Sequence, residues 1–217
     1  MANNAKLEEE KRAAAEAALR FVADGVALGV GSGSTAEMFI ALLAPHRAKL
    51  AAVRASSERT ARLLAAAGIA CNDDVSELDL YVDGADEIDG NRQMLKGGGG
   101  ALAREKVLAC CARRFVCIVD SSKNVPRLGR FPLAVEVLPM ARSYAARRLA
   151  GMGGSPRWRE GFITDNGNWI LDASGLDLTD AAGMEMEINA IAGVVENGIF
   201  ARRRADTVFA GGAEMKK

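Results

Sequence analysis

The sequence predicts an α/β protein: a mostly parallel sheet flanked by helices, with a smaller α+β domain inserted before the final strand. In the first part of the chain, short apolar runs alternate with segments of helical periodicity, which is typical of parallel strands and their crossover helices. Polar or glycine-rich segments follow these runs, as expected where the strands of such a sheet end. Near residue 129 the pattern changes to a mixture of strands and helices, which indicates the second domain.

The first domain is predicted to begin with a helix over residues 6–22, whose apolar side chains recur at helical spacing and which Asp24-Gly25 ends. Ser56 or Ser57 is a candidate cap for a later helix, and Gly68 is its stop signal. The elements that follow the first helix are predicted as strand 26–30, helix 36–43, strand 50–55, a helix that begins after Ser56 or Ser57 and runs to residue 67, strand 78–82, helix 101–112 and strand 115–119.

The second domain is predicted to contain strand 133–138, helix 141–149, strands 162–164 and 169–171, helix 180–190 and strand 194–200. The segment Asp165-Asn166-Gly167-Asn168 is the hairpin signal between the two central strands. A last apolar run at 207–210 could return to the first sheet. The predicted boundaries are residues 1–131 plus 204–217 for the sheet domain that carries the active site, and 132–203 for the smaller domain.

Composition narrows the class of protein. A chain of 217 residues is long enough to form a core without disulfides or metals. Lys plus Arg and Asp plus Glu are both 28, so no net basic field would hold nucleic acid or an anionic membrane. The four cysteines form no C-x-x-C pair, which favours a reducing, cytoplasmic location. The polar N-terminus and the lack of a long apolar run predict neither a targeting peptide nor a membrane span.

The polar loops after the four predicted strands could converge on one pocket, because the carboxyl ends of parallel strands share one sheet edge. In the first loop, Gly31-Ser32-Gly33-Ser34-Thr35, glycines let backbone N–H groups approach an anion and the next helix presents its positive end. A phosphate is the ligand that this loop favours. With Ala36 the loop also matches a G-x-G-x-x-A dinucleotide fingerprint, and Arg54 could suit the extra phosphate of NADP. A purely structural turn is the third alternative.

Acidic residues crowd the second loop, Asp83-Gly84-Ala85-Asp86-Glu87-Ile88-Asp89-Gly90. Neighbouring carboxylates repel one another, which suits such a group to proton transfer at hydroxyls. A calcium loop would need an acid where Ala85 stands and a closing Glu where Lys96 stands, and the sequence holds a single histidine. A metal role is therefore not predicted. Glu87 and Asp89 are interpreted as solvated loop acids rather than catalysts.

The third segment begins with Lys96 and continues with Gly97-Gly98-Gly99-Gly100. The glycine N–H groups could form an oxyanion hole beside the lysine charge, although a flexible linker is the alternative because ordering four glycines costs entropy. Glu105 lies about one turn into the next helix, where the macrodipole favours the ionised carboxylate that a general base needs. A surface glutamate is the alternative there. Lys123 and Lys11 could each reach a phosphate, or could simply be solvated.

These segments, in this order, resemble the A-type ribose-5-phosphate isomerases. The matching segments are VGSGSTAEMF, ASSERT, LYVDGADEID, LKGGGGALAREK, VDSSK, GRFPLAVEV, TDNGNWILD and GVVENGIFARRRAD, which span about residues 11–211. VDGADEID and KGGGGALAREK at their mutual spacing are highly specific together. Two positions depart from the family pattern. Ser32 stands where many members carry Thr, which keeps the hydroxyl, and Glu16 stands where some members have an aromatic.

The resemblance implies a homodimeric enzyme without cofactor or metal that interconverts D-ribose 5-phosphate and D-ribulose 5-phosphate. Glu105 matches the family's catalytic base, and Asp83, Asp86 and Lys96 match its active-site acids and lysine. The positions that match substrate contacts, chiefly around the phosphate, are Lys11, Ser32, Gly33, Ser34, Thr35, Gly84, Ala85, Gly97, Gly98, Gly99 and Lys123.

The expected chemistry has two stages. The sugar ring first opens, with Asp83 as the candidate proton shuttle, and Glu105 then moves the C2 proton to C1 through an enediolate that Lys96 and glycine N–H groups stabilise. Two other functions compete with this one: a sugar-phosphate-sensing domain, and an NADP-dependent oxidoreductase. A sensor would lack a placed base and would usually bring a DNA-binding segment, whereas the oxidoreductase would bind NADP.

Overall fold

The computed structural model of the protein describes residues 2–72 and 77–215. The chain divides into two compact units. The first comprises Met1–Ala85, Arg104–Asn124 and Ala205–Lys217, and the second comprises Asp86–Ala103 and Val125–Arg204. This division differs from the predicted one because residues 86–103, 125–131 and 204 fall in the second unit. The short strands of residues 86–103 pair with a strand of that unit, a long-range pairing that local sequence patterns do not reveal.

The first unit is built on a six-stranded sheet. Its strands are β1 (Val26–Val30), β2 (Leu50–Ala55), β3 (Leu78–Asp83), β6 (Ala112–Val119), β12 (Thr207–Ala210) and β13 (Ala213–Glu214), in the order β13-β12-β6-β3-β1-β2. All neighbours pair in parallel except β12 and β13. The helices are α1 (Ala2–Leu19), α2 (Ser34–Leu43), α3 (Glu58–Ala66) and α4 (Leu102–Cys111), of which α4 joins this unit from Arg104 onward.

The helices of this unit form where the sequence gives them an apolar face and a cap. In α2 the residues buried against the sheet recur at helical spacing: Ala36, Phe39, Ile40 and Leu43. At the start of α3, the Ser57 side chain accepts the backbone N–H of Thr60 at 3.0 Å. The strands are apolar on both faces, so the core of the unit lies around the sheet, as expected for a parallel sheet covered by helices.

The strand order creates one topological switch point. β1 pairs with β2 on one side and with β3 on the other, so the chain leaves β1 in one direction and returns to its opposite side. Ligands of open α/β sheets bind in the crevice outside the carboxyl ends of the strands at this point. The residues there are Gly31 to Thr35 after β1, and Asp83 with Gly84 at the end of β3.

The second unit contains a four-stranded antiparallel sheet and a small three-stranded sheet. The larger sheet has the order β10-β7-β9-β8, with strands β7 (Leu133–Val137), β8 (Ser155–Trp158), β9 (Trp169–Ser174) and β10 (Val194–Asn197). The small sheet has the order β11-β5-β4, with strands β4 (Glu87–Ile88), β5 (Met94–Leu95) and β11 (Ile199–Phe200). Helices α5 (Arg142–Gly151) and α6 (Ala181–Asn189) complete the unit, whose apolar core includes Leu149, Val135 and Ile188.

The predicted fold class is confirmed, and the apolar run at 207–210 does return to the first sheet, where it pairs in parallel with β6. The predicted strand 162–164 is wrong, because β9 pairs instead with β8. The side chain of Thr164 accepts the backbone N–H groups of Asn166 and Asn168, so the hairpin signal produces a local turn inside the connection. The predicted strand 194–200 is broken at Gly198, whose N–H bonds to the Ala134 carbonyl.

Within residues 2–72 and 77–215, no helix combines the length and the apolar character that a membrane crossing requires.

Candidate active site

The turn after β1 leads directly into the N-terminus of α2, the end of a helix that favours an anion. Gly33 adopts a φ of 94°, a backbone conformation that glycine tolerates readily, and precedes the first residue of α2. Ser34 is exposed, so its hydroxyl is accessible to a ligand, and α2 presents the positive end of its dipole at this turn. Glu37 in the first turn of α2 would repel a phosphate, but Arg59 pairs with it at 2.8 Å and offsets its charge. Thr35 is buried at the base of the turn.

Asp83 lies at the end of β3 and is fully buried. Its Oδ1 accepts the backbone N–H of Ser32 at 3.1 Å and that of Gly84 at 2.7 Å, while its Oδ2 accepts the Tyr81 hydroxyl. Gly31 makes this approach possible, because a Cβ at that position would lie 1.8 Å from Asp83 Oδ1. The carboxylate therefore ties the turn after β1 to the end of β3.

Tyr81 is a site residue that the sequence analysis missed. Burial raises its pKa well above the usual value, and the nearby carboxylates of Asp83 and Glu105 raise it further, so the phenol stays protonated and donates to Asp83. The signal was present in the sequence: a tyrosine in a buried apolar strand needs a partner for its hydroxyl, and Asp83 stands two residues later on the same strand face.

Tyr81→Phe should lower the free energy of unfolding by about 1–3 kcal/mol, because the ring still fills its site while Asp83 loses a donor. The midpoint of urea denaturation measures this loss. Tyr144→Phe is the matched control, since Tyr144 is exposed and the loss of its hydroxyl should change the midpoint little. Equal midpoints for wild type and Tyr81→Phe would show that the hydroxyl does not stabilise the buried carboxylate.

Glu105 lies in the first turn of α4, and only 3% of its surface is exposed. The Ser32 hydroxyl donates to its Oε1 at 2.6 Å. The carboxylate thus reaches the turn after β1 at the switch point, and the alternative of a solvated surface glutamate is wrong. The end of the helix at which it lies favours a negative charge.

Two lysines of the first unit lie near the same sheet edge. Lys123 is half-buried in the short 3-10 turn after β6, which the Asp120 side chain caps by accepting the Ser122 N–H at 2.9 Å. Lys11 lies on α1 and pairs with Glu8 at 2.7 Å. The residue beside it, Glu10, accepts the backbone N–H of Ser121 at 2.8 Å, so α1 packs against the turn that carries Lys123.

That contact also lowers the pKa of Glu10. Hydrogen bonds from the side chain and the backbone of Ser121 hold the pKa of the Glu10 carboxyl below its ordinary value, and Lys6 adds a smaller effect.

In the second unit, Lys96 and the glycines after it are held by their own neighbours. Lys96 is buried, its backbone N–H bonds to the Gly198 carbonyl at 2.9 Å, and its ammonium lies 5.6 Å from the centre of the Phe200 ring. Asp86 accepts the backbone N–H of Gly98 at 2.8 Å. Gly98 and the next residue, Gly99, are exposed, as a substrate-binding segment requires.

The remaining predicted positions of these loops are less exposed. Gly84 and Ala85 are half-buried, and Gly97 is buried with a φ of 112°. A Cβ on Gly97 would lie 2.7 Å from the Ala134 side chain, so the segment begins in close contact with β7.

The interpretation of Glu87 and Asp89 as solvated acids is wrong, since both are buried. Glu87 accepts the backbone N–H groups of Gly129 and Phe131, and Asp89 accepts those of Asn91 and Gln93. Both carboxylates therefore organise loops of the second unit.

A second residue that the sequence analysis missed is Arg159, which donates to the carbonyls of Gly97 and Gly98 and pairs with Asp172. An arginine at the end of a strand carries no local signal for its contact with the two glycines, because they lie more than sixty residues away in the chain.

Among the described residues, no three His, Cys, Asp or Glu side chains are grouped as a metal site would require.

Comparisons with known proteins agree on one family. The model of the family described as ribose 5-phosphate isomerase A (phosphoriboisomerase A) matches residues 52–215. Ribose-5-phosphate isomerase A of Dichelobacter nodosus is 54% identical over 208 residues, which cover 95% of this chain and 94% of the relative. The protein of the same name from Bordetella bronchiseptica is 56% identical over 208 residues, covering 93% of this chain and 92% of that protein.

Solved structures give the same result. Ribose 5-phosphate isomerase A from Neisseria gonorrhoeae superposes with a TM-score of 0.92 at 46% identity, covering 94% of this chain and 93% of that one. A D-ribose-5-phosphate isomerase described as a complex with phospho-erythronic acid superposes with a TM-score of 0.90 at 37% identity, covering 94% and 95% of the two chains.

A mostly parallel sheet with a buried carboxylate beside the turn at its switch point, in a chain with these relatives, defines an enzyme of the sugar-phosphate isomerase class. The chain belongs to the ribose 5-phosphate isomerase A family. It is therefore an isomerase acting on a phosphosugar, and neither the sensing domain nor the oxidoreductase is needed to account for the site.

Proposed function

We propose that the enzyme interconverts D-ribose 5-phosphate and D-ribulose 5-phosphate through an enediolate, with Glu105 as the general base. The observation that carries this proposal is the position of the Glu105 carboxylate, which is buried and bonded at 2.6 Å to a hydroxyl of the turn after β1. A carboxylate kept from bulk water beside a phosphate-binding turn can meet the reacting carbons of a substrate whose phosphate that turn holds.

The phosphate has a separate set of proposed contacts. The exposed Ser34 hydroxyl, the first N–H groups of α2 and the Thr35 residue would bind it, with Lys123 and Lys11 adding positive charge. Because the phosphate lies at the far end of the substrate from C1 and C2, its binding energy positions the reacting carbons without taking part in the chemistry.

Proton transfer begins with ring opening. Asp83 would transfer a proton between the ring oxygen and O1, and the protonated Tyr81 hydroxyl would hold that carboxylate in place. Glu105 then takes the proton from C2 and returns it to C1, while a proton passes from O2 to O1, so that the carbonyl moves from C1 to C2. The negative oxygen of the enediolate would be stabilised by the Lys96 ammonium and by glycine N–H groups of residues 97–99, while Asp86 would hold the glycine segment through Gly98.

The biological setting is proposed from the same resemblance. The enzyme would act in the cytoplasm as a homodimer, in the non-oxidative pentose phosphate pathway, without a cofactor.

A direct assay tests the proposed function. Purified enzyme should convert ribose 5-phosphate to the ketose, and in deuterium oxide the product should carry deuterium at C1 to the extent that the base exchanges its proton with solvent. A fluorescence titration with NADP should show no binding. Failure to form the ketose would reject the isomerase proposal, and saturable NADP binding would favour an oxidoreductase.

Treatment with EDTA should leave the turnover unchanged, because the proposed base is a carboxylate and the proposed charge stabiliser is an ammonium group. The measurement is the initial rate before and after dialysis against chelator. Inhibition that persists after the chelator is removed, and that a single divalent metal reverses, would contradict a metal-free mechanism.

A further inference from the structure

The connection between β8 and β9 carries an arginine that grips the glycine segment after Lys96. Nη1 of Arg159 donates to the carbonyls of Gly97 at 3.3 Å and Gly98 at 3.1 Å, and Nη2 also lies 3.3 Å from the Gly97 carbonyl. Nε donates to one carboxylate oxygen of Asp172 at 2.8 Å, and Nη2 donates to the other. One edge of the guanidinium group thus binds the carboxylate of Asp172 on β9. The other edge binds the carbonyls of two consecutive residues, Gly97 and Gly98.

Because a peptide group is rigid, these bonds to the two carbonyls also fix the direction of the N–H groups that follow them. A trans peptide is planar, and its C=O and N–H point in opposite directions. Holding the Gly97 carbonyl therefore directs the Gly98 N–H away from the guanidinium, where Asp86 accepts it at 2.8 Å. By the same rule, the bond to the Gly98 carbonyl directs the Gly99 N–H away from the guanidinium as well.

The ring of Phe162 supports the same arrangement. Gly100 has a φ of 77°, and a Cβ on it would lie 2.3 Å from the Phe162 ring, so the glycine segment rests directly on this ring. The guanidinium carbon of Arg159 lies 5.3 Å from the centre of the ring. Four consecutive glycines have much conformational freedom to lose, and these external contacts add to the one bond within the segment, from the Gly100 N–H to the Gly97 carbonyl at 2.9 Å.

We propose that Arg159 is a positioning residue for the isomerisation: it orients the Gly99 N–H as an oxyanion donor and, through the Gly98 N–H, fixes the carboxylate of Asp86. This inference rests on the proposed function, because it assigns the glycine segment to the enediolate. A guanidinium bonded to the carbonyl of a peptide also polarises that peptide, which strengthens its N–H as a donor to a developing negative charge.

The test compares Arg159→Met and Arg159→Lys with wild type in steady-state kinetics and in inhibition by phospho-erythronate. The carboxylate of phospho-erythronate places negative charge at the end of a phosphorylated carbon chain, as the enediolate does. We expect kcat of Arg159→Met to fall about tenfold to a hundredfold, less than deletion of an oxyanion donor costs at its upper limit. KM should change by less than about threefold, because the phosphate contacts are elsewhere. The inhibition constant of phospho-erythronate should rise in step with the loss in kcat.

Arg157→Met is the matched control, since Arg157 is exposed on β8 two residues away and its loss removes the same charge. It should keep wild-type kinetics. Arg159→Lys keeps a positive charge and most of the side chain, so it should fold even if Arg159→Met does not. It should still lose roughly tenfold in kcat, because an ammonium cannot bond Asp172 and both carbonyls with the geometry of the fork.

Wild-type kcat in either folded Arg159 variant would overturn the inference, as would a loss in kcat with unchanged phospho-erythronate inhibition. These results would leave the isomerase proposal intact, provided that wild type forms the ketose. If wild type fails to form it, the proposed function itself is rejected.

Discussion

Glu105→Gln should bind ribose 5-phosphate nearly as well as wild type and lose at least about a hundredfold in turnover. The amide has the size of the carboxyl and keeps an oxygen that can accept the Ser32 hydroxyl, so the turn after β1 should retain its shape. It has no oxygen that can take a proton from C2. A defect confined to kcat, with KM nearly constant, is the result expected for loss of a group that acts only in the transition state.

The measurements are steady-state kinetics and exchange of the substrate C2 proton with deuterated solvent, which should slow by the same factor. Glu187→Gln is the matched control, because Glu187 is exposed on α6 and the same chemical change there should leave both rates unaltered. Turnover of Glu105→Gln close to wild type would remove Glu105 from the mechanism.

Strands β1 and β2 of the first sheet were predictable because each is bounded by residues that stop it. The predicted strands 26–30 and 50–55 coincide with β1 and β2. Strand β1 lies between Gly25 and Gly31, and β2 ends just before the serines at 56 and 57. Glycine and serine are strong local signals, and the apolar runs between them match the length of a buried parallel strand. Local signals of this kind were enough to define the fold class.

The small sheet of the second unit could not be predicted in this way. Its strands β4, β5 and β11 are two residues long and have no periodicity to recognise. They form because β11 pairs with β5 across about a hundred residues of chain, and this pairing also places residues 86–103 in the second unit. The burial of Glu87 has the same origin, since the N–H groups that satisfy it belong to Gly129 and Phe131.

The candidate site was likewise predictable only in part. The residue types and their positions after the strands indicated an anion turn, a glycine segment and a helix glutamate, and the family resemblance gave each a role. The contacts that hold them are long-range: Ser32 meets Glu105 over a separation of 73 residues, and Arg159 meets Gly98 over 61. A single sequence has no local pattern for such pairs, so Arg159 could not be singled out. Tyr81 differs, because its partner Asp83 stands only two residues later on the same strand.

Gly31→Ala should destabilise the protein by about 3 kcal/mol or more and lower its turnover by roughly a hundredfold. The added Cβ would lie 1.8 Å from Asp83 Oδ1 and 1.9 Å from Asp83 Cγ, which is far inside van der Waals contact. Asp83 cannot readily swing away, because Tyr81 and two backbone N–H groups hold it. The backbone of Gly31 is held as well, since its carbonyl accepts the Thr60 hydroxyl at 2.9 Å.

Either the turn after β1 or the Asp83 carboxylate must therefore move in Gly31→Ala, and each movement shifts Ser32 relative to Glu105. The loss of stability is measured by urea denaturation, and the loss of turnover by the ribose 5-phosphate assay on the folded fraction. Gly151→Ala is the control, because a Cβ there meets no atom within 4 Å, so both quantities should stay near wild type. A Gly31→Ala enzyme with the stability and turnover of the control would mean that the contact between Gly31 and Asp83 does not constrain the site.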